Sequence, residues 1–128
     1  MVDVAIVMGS KSDEKFLEPA VKVLEEAGLS YEVKILSAHR NPDELREYIK
    51  SEPAKVFIAM AGFSAALPGF IAAYTRKPVI GVPLATSPLA GVDSVLSMIQ
   101  MPKGIPVAVV GINSSENAAH LAVRILKG

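Results

Sequence analysis

Three short polar segments hold the side chains of this sequence that are best suited to chemistry. Their candidate residues are Ser10, Ser12 and Asp13 in the first segment, Ser37, His39 and Arg40 in the second, and Gly62, Ser64 and Leu67 in the third. Histidine exchanges a proton near neutral pH, and arginine binds phosphate or carboxylate through a two-pronged fork. Serine hydroxyls beside the amides of a helix start suit an anion, phosphate in particular. These residue types together indicate an anionic ligand and a proton transfer.

Each segment also has a simpler interpretation. Ser10 and Asp13 have the spacing of a capping box, so the first segment could be a helix start and nothing more. His39 and Arg40 could be an exposed loop pair, and Gly62 could belong to a packing turn. The first segment fits neither the dinucleotide fingerprint nor the Walker pattern, so it indicates neither NAD nor a nucleoside triphosphate.

Apolar β-type runs predict five strands separated by helix-type segments. The runs are Val2 to Met8, Tyr31 to Leu36, Lys55 to Met60, Pro78 to Val82 and Pro106 to Gly111. Strands that alternate with helices predict βαβ units and a parallel sheet. Three of the runs contain a stretch that is apolar at every position, which is typical of strands covered on both faces: Val4 to Val7, Val56 to Ala59 and Val107 to Val110. We therefore expect the α/β class, with a three-layer αβα arrangement.

The strands bring the three polar segments together. Each segment follows a strand directly and opens a helix, so all three lie on the rim formed by the carboxyl ends of the strands. Ligands bind at this rim of open α/β sheets, at the point where the strand order reverses. Because all three segments lie on one rim, a single ligand site is a better interpretation than three unrelated turns.

Several residues mark where the helices begin and end. The first helix is expected from about Ser12 to Ala27, and Pro19 predicts either a kink or a helix proper that begins near Glu18. Gly28 is the expected C-cap, and Asn41 is the expected N-cap ahead of Pro42. Three later helices are expected, from about Ser64 to Thr75, from Val92 to Gln100 and from Ser115 to Lys127.

The helix after the third strand has no polar face. A helix that is apolar all round is buried all round, and one chain of 128 residues rarely covers both sides of it. We therefore expect a second subunit on its other side, and hence a homo-oligomer. His120, within the last predicted helix, is interpreted as a surface or interface residue.

Composition excludes several classes of function. The 13 basic and 13 acidic residues cancel, so no global field draws the chain to nucleic acid or to an anionic membrane. The absence of cysteine and the presence of two histidines speak against a disulfide framework and a structural metal site. The length predicts one domain over residues 1–128, and the N-terminus has no secretory pattern, so we expect a cytoplasmic protein.

The uncharged stretch from Val56 to Thr75 has the length of a membrane span. Gly62, Pro68 and Gly69 interrupt it, and its first part is a β-type run. We expect a buried strand followed by a buried helix, and no membrane span.

Four motifs together resemble one family of purine biosynthesis. They are Met8 to Asp13, Ser37 to Pro42, Ala61-Gly62 ahead of Leu67-Pro68-Gly69, and Asp93 to Pro102. From about Val4 to Leu126 the sequence is similar to the catalytic subunit of phosphoribosylaminoimidazole carboxylase, the family of 5-(carboxyamino)imidazole ribonucleotide mutase. The resemblance implies a flavodoxin-like fold with strand order 2-1-3-4-5, an octamer with sites at subunit junctions, and no metal or organic cofactor.

The resemblance also implies a role for each candidate residue. His39 is the implied proton carrier, and Ser10, Asp13 and Arg40 are implied to bind the ribonucleotide substrate. Ser12 and Ser37 assist at the phosphate, Gly62 and Ser64 lie near the migrating carboxylate, and Leu67 belongs to the substrate-binding set. A functional coupling to the carboxyamino ribonucleotide synthase is a further implication.

The sequence leaves three activities open. The Leu67-Pro68-Gly69 turn resembles the mutase branch, which moves a carboxylate from the exocyclic nitrogen of the imidazole to ring carbon 4. That branch usually has a second histidine where this chain has Ala66, which keeps a direct carboxylase open. A ribonucleotide-binding paralogue without catalysis is the third reading. The family also continues past the equivalent of Gly128 with a segment that packs on a neighbouring subunit, so we expect a less stable or differently closed assembly.

Overall fold

The computed structural model describes residues 1–63 and 65–128. Within this part of the chain, five parallel strands form one sheet in the order β2-β1-β3-β4-β5. The strands are β1 Val2–Met8, β2 Tyr31–Ile35, β3 Ala54–Ala61, β4 Val79–Pro83 and β5 Ala108–Val109. The helices are a 3-10 helix at Lys11–Phe16, α1 Leu17–Glu26, α2 Pro42–Lys50, α3 Leu67–Tyr74, α4 Val92–Ile99 and α5 Ser115–Lys127. The predicted α/β class, strand order and flavodoxin-like topology are confirmed.

Alternate residues of each central strand feed two separate cores. In β1, Val4 and Ile6 pack with α1 and α5 on one face, and Ala5 and Val7 pack with α2, α3 and α4 on the other. All four side chains are completely buried. This explains why residues 4–8 of β1 are all apolar, and it confirms the prediction of helices on both faces.

The first helical segment is divided in two. A 3-10 helix covers residues 11–16, and α1 begins at Leu17, which confirms a helix proper that starts near Glu18. Pro19 lies in the first turn of α1, where a missing amide hydrogen removes no helical bond. At the other end Gly28 is left-handed, with φ of +72°, and the amide of Leu29 donates to the Leu24 carbonyl at 3.0 Å. The glycine C-cap is therefore also confirmed.

The fifth strand is shorter than its apolar run predicts. The run from Pro106 to Gly111 pairs as a strand only at Ala108 and Val109, opposite Ile80 and Gly81. Pro106 has no amide hydrogen for the ladder. The chain then turns after Gly111, whose carbonyl accepts from the amide of Ser114 at 3.0 Å.

Helix α3 buries one side within the chain. Leu67 and Ile71 are at most 3% exposed, whereas Tyr74 is 40% exposed. The helix begins at Leu67, three residues after the predicted start. The uncharged stretch 56–75 is thus divided between β3 and α3, and none of the described helices has the length and apolar character needed to cross a membrane.

Candidate active site

A cavity of about 460 Å³ opens at the carboxyl ends of β1, β2 and β3. The structure places eight of the predicted site residues around it. They are Ser10, Ser12, Asp13, Ser37, His39, Arg40, Gly62 and Leu67. Ser64, the ninth, lies outside the described residues. The volume falls within the usual range for small-molecule sites.

The first turn supplies two neighbouring hydroxyl groups. The Ser10 hydroxyl oxygen accepts a hydrogen bond from the Ser12 amide at 3.3 Å, and the two serine hydroxyls lie 3.0 Å apart. The Asp13 amide donates to the Ser10 carbonyl at 3.1 Å. The Ser10 side chain therefore caps at the second residue after it, where the capping-box pattern predicted the third. Each hydroxyl retains hydrogen-bonding capacity toward the cavity.

Asp13 is the buried acid of the site. Its side chain is 5% exposed, and this burial raises its pKa above the ordinary value of 3.8, while a hydrogen bond from the Ser10 backbone and the charge of Lys15 oppose the shift. A carboxyl group at this position is suited to accept hydrogen bonds from the hydroxyl groups of a sugar.

Ser37 supports the turn that carries the histidine. Its hydroxyl oxygen accepts from the amides of His39 and Arg40, each at 3.2 Å. The Ser37 amide in turn donates to the side-chain oxygen of Asn41 at 3.3 Å. Asn41 occupies the predicted N-cap position of α2, but its side chain bonds backward to Ser37 and makes no cap bond to the helix. The backbone of His39 is therefore held from both sides.

Arg40 connects the second turn to the first. One of its guanidinium nitrogens donates to the Gly9 carbonyl at 2.9 Å, across 31 residues of sequence. This bond places the positively charged guanidinium beside the turn that contains Ser10 and Ser12. A guanidinium has five N–H donors, so the same side chain can also bind an anion.

His39 lies at the rim of the cavity with its side chain exposed. The exposed ring can reach a ligand that fills the cavity, and a histidine so placed can give and take a proton. The other histidine, His120, lies on α5 in a separate groove of about 670 Å³. Its Nε2 atom is 3.8 Å from a carboxylate oxygen of Glu116. His120 therefore does not line the cavity that holds His39.

The third turn and a fourth segment form the remaining wall. A Cβ atom added to Gly62 would lie 1.8 Å from the Thr86 hydroxyl oxygen, so this hydroxyl occupies the space that a side chain at position 62 would need. Phe63 also lines the cavity, with a left-handed φ of +54° and 57% exposure. The Thr86 hydroxyl is therefore part of the site.

Sequence reasoning missed Thr86. It lies in the segment between β4 and α4, which also follows a parallel strand and precedes a helix. The rim argument applied to the first three strands extends to this one, so the signal was present.

The side chains that hold metal ions in proteins are chiefly those of His, Cys, Asp and Glu. Across residues 1–63 and 65–128, no group of three or more His, Cys, Asp or Glu side chains is placed to hold a metal ion. Among the described residues, the polar side chains of the cavity are hydroxyls, one carboxyl, one imidazole and one guanidinium, which are groups that bind an anionic organic ligand.

The fold and the cavity define an α/β protein of flavodoxin-like topology with a polar ligand site at the topological switch point of its sheet. Residues 3–128 match the AIR carboxylase family. The chain belongs to that family.

Known relatives agree with this assignment. The chain is 53% identical over 123 residues to N5-carboxyaminoimidazole ribonucleotide mutase of Methanocaldococcus jannaschii, a match that covers 96% of this chain and 78% of the relative. It is 51% identical over 126 residues to phosphoribosylaminoimidazole carboxylase of Candida albicans, a match that covers 96% of this chain and 22% of that longer protein. The crystal structure of Treponema denticola PurE superposes with a TM-score of 0.87 at 34% identity, and covers 97% of this chain and 79% of that one.

Proposed function

We propose that this chain converts N5-carboxyaminoimidazole ribonucleotide to its isomer carboxylated on ring carbon 4, a step of purine biosynthesis. The observation that carries the proposal is the single cavity in which His39 and Arg40 meet the serine turn and the Gly62 turn. A chain 53% identical over nearly its whole length to a relative named for this mutase supports it. Residues 1–128 act as one catalytic domain.

The reaction needs groups that hold the nucleotide and a group that moves a proton. Arg40 and the hydroxyls of Ser12 and Ser37 bind the phosphate, with Ser10 beside them. Asp13 accepts hydrogen bonds from the ribose. These residues surround one cavity, so they hold the imidazole ring in a fixed orientation.

The transfer breaks the bond between the exocyclic nitrogen and the carboxylate, and it forms a bond between that carbon and ring carbon 4. The nitrogen gains one proton, and carbon 4 loses one. His39 delivers the first and removes the second, so one imidazole serves both steps. Carbon dioxide released between the steps stays in the cavity against the Gly62 and Thr86 wall.

The activity test uses the purified chain with N5-carboxyaminoimidazole ribonucleotide. We expect the carbon-carboxylated isomer to form, and we expect His39→Asn to lower the rate by about 100-fold or more. His120→Asn is the matched control, because this histidine lies in a different groove, and its rate should equal that of the wild type. No turnover by the wild type, or an undiminished rate in His39→Asn, would contradict the proposal.

A direct carboxylase is the second candidate, and Ala66 favours it. Ala66 lines the cavity and brings no second proton carrier. The discriminating assay supplies aminoimidazole ribonucleotide with bicarbonate at physiological concentration. Rapid product formation from these reagents identifies the carboxylase, and ribonucleotide binding without turnover of either substrate identifies a non-catalytic paralogue.

We also propose a homo-oligomer, with an octamer as the assembly that the family resemblance implies. Helix α4 exposes Val92, Leu96 and Ile99 along one face, with Leu89 just before it, and each of these side chains is at least half exposed. Such a row favours contact with a second subunit. Leu96→Glu should shift sedimentation to smaller species, whereas Ser97→Glu on the same helix should not. A monomeric wild type at micromolar concentration would contradict the assembly.

The cellular setting completes the proposal. We place the chain in the cytoplasm, where the carboxyamino ribonucleotide synthase makes its substrate, and we expect functional coupling between the two enzymes. Faster overall conversion by the mixed enzymes than by the two reactions run separately would support the coupling.

A further inference from the structure

A buried serine of α4 touches both loops that form the Gly62 and Thr86 wall. Ser94 has no exposed surface, and its hydroxyl oxygen lies 3.1 Å from the Leu84 carbonyl oxygen and 3.3 Å from the Phe63 carbonyl oxygen. Leu84 directly follows β4, and Phe63 lies two residues after β3. The Leu84 amide also donates to the Ala61 carbonyl at 3.0 Å. One hydroxyl proton is therefore shared between the two loops.

The turn bonded by Ser94 has a strained backbone that contacts from outside the turn must stabilise. Phe63 has φ of +54°, a left-handed conformation that costs a non-glycine residue free energy and persists only where the surroundings fix it. The hydrogen bond from Ser94 acts on the carbonyl of that same residue. Loss of the bond lets the turn relax toward ordinary backbone angles.

A relaxed turn would move the wall of the cavity. The Thr86 hydroxyl fills the space beside Gly62, and it approaches to within 1.8 Å of the site of a missing Cβ. Closely packed groups of this kind separate when either backbone shifts. Ser94 itself does not line the cavity, so it acts only through Phe63 and Leu84.

We propose that Ser94 is a positioning residue that keeps the carboxylate end of the cavity closed during transfer. The inference rests on the proposed function, because it assigns the Gly62 and Thr86 wall to the migrating group. Without the Ser94 hydroxyl, carbon dioxide released from the exocyclic nitrogen escapes before it bonds to ring carbon 4. The exocyclic nitrogen has gained one proton from His39, and the neutral amine then leaves as aminoimidazole ribonucleotide.

The test measures how the reaction divides between product and escape. Ser94→Ala is compared with Ser115→Ala, which removes the hydroxyl of another buried serine, 2% exposed, at the start of α5 and outside the cavity. We expect Ser94→Ala to raise the ratio of aminoimidazole ribonucleotide to carboxylated isomer about tenfold and to lower kcat, with KM changed less than about twofold. Ser115→Ala should keep the wild-type ratio.

A second variant and a second measurement make the test robust. Ser94→Cys is the second variant in case the alanine variant fails to fold. Its thiol is larger than the hydroxyl and only a weak donor, so it should shift the ratio in the same direction. The Leu84 amide donates to the Ala61 carbonyl between the two loops, so its hydrogen exchange should become faster in the Ser94 variants than in Ser115→Ala.

The outcomes separate the two proposals. An unchanged division ratio overturns the role of Ser94 in closure, and unchanged exchange at Leu84 shows that its hydroxyl does not hold the two loops together. A wild type that converts neither ribonucleotide overturns the proposed function, and the exchange measurement then decides alone whether Ser94 holds the turn.

Discussion

Replacement of Gly62 by alanine tests the tightest contact in the cavity wall. The new Cβ would lie 1.8 Å from the Thr86 hydroxyl oxygen, more than 1 Å inside the 3.0 Å limit that real Cβ contacts respect. It would also lie 3.2 Å from the Thr86 Cβ and 3.5 Å from the Leu84 carbonyl oxygen. Overpacking of this kind costs about 1–3 kcal/mol of unfolding free energy.

The Thr86 side chain is the cause of that cost, so its removal should relieve it. In Thr86→Ala the closest remaining contact is the one at 3.2 Å, which a small shift accommodates. The double variant should therefore be more stable than the sum of the single changes by about 1–2 kcal/mol.

The assay is urea unfolding of the wild type, both single variants and the double variant. Gly9→Ala is the matched control, because a Cβ at position 9 meets nothing within 4 Å, and its stability should stay equal or rise by up to about 1 kcal/mol. Additive effects of Gly62→Ala and Thr86→Ala, to within about 0.5 kcal/mol, would refute the reasoning.

Three further predictions concern other residues of the cavity. Burial raises the pKa of Asp13 above 3.8, so the folded state holds the carboxyl proton more tightly than the unfolded chain does. The free energy of unfolding therefore falls as pH rises from the unfolded pKa of Asp13 through its folded pKa. Asp13→Asn should remove this slope and raise stability at pH 7, as measured by urea unfolding between pH 3 and 7; an unchanged slope would contradict it. Arg40→Lys loses the fork that reaches the Gly9 carbonyl, so KM for the ribonucleotide should rise about tenfold, and an unchanged KM would show that the guanidinium is not needed. Phe63→Gly relieves a left-handed backbone and should raise the free energy of unfolding, measured in urea, by up to about 1 kcal/mol. A clear loss of stability would mean that the phenyl ring contributes more than the backbone strain costs.

The sequence predicts those features of the fold that depend on local patterns. The uniformly apolar run in β1 identified a strand covered on both faces, and Gly28 identified the end of α1. The short β5 was not predictable from its apolar run, because the extent of its ladder depends on β4.

In the candidate site, too, local patterns predict some features and distant contacts determine others. His39 and Arg40 were predictable because they directly follow a strand and precede a helix start. The support that Ser37 gives to their backbone amides was not apparent, since the sequence indicated only a phosphate contact. Thr86 follows β4, so the rim argument extended to that strand could have found it. Ser94 acts through a contact with Phe63, 31 positions away in the chain, which no local pattern reveals.

The most direct test of the central claim follows the carboxylate itself. N5-carboxyaminoimidazole ribonucleotide with a ¹³C-labelled carboxylate is converted by the wild-type chain in buffer that contains unlabelled bicarbonate, and the product is analysed by mass spectrometry. Transfer within the cavity predicts that the product keeps the label. A product that carries the unlabelled carbon of the buffer would contradict the account.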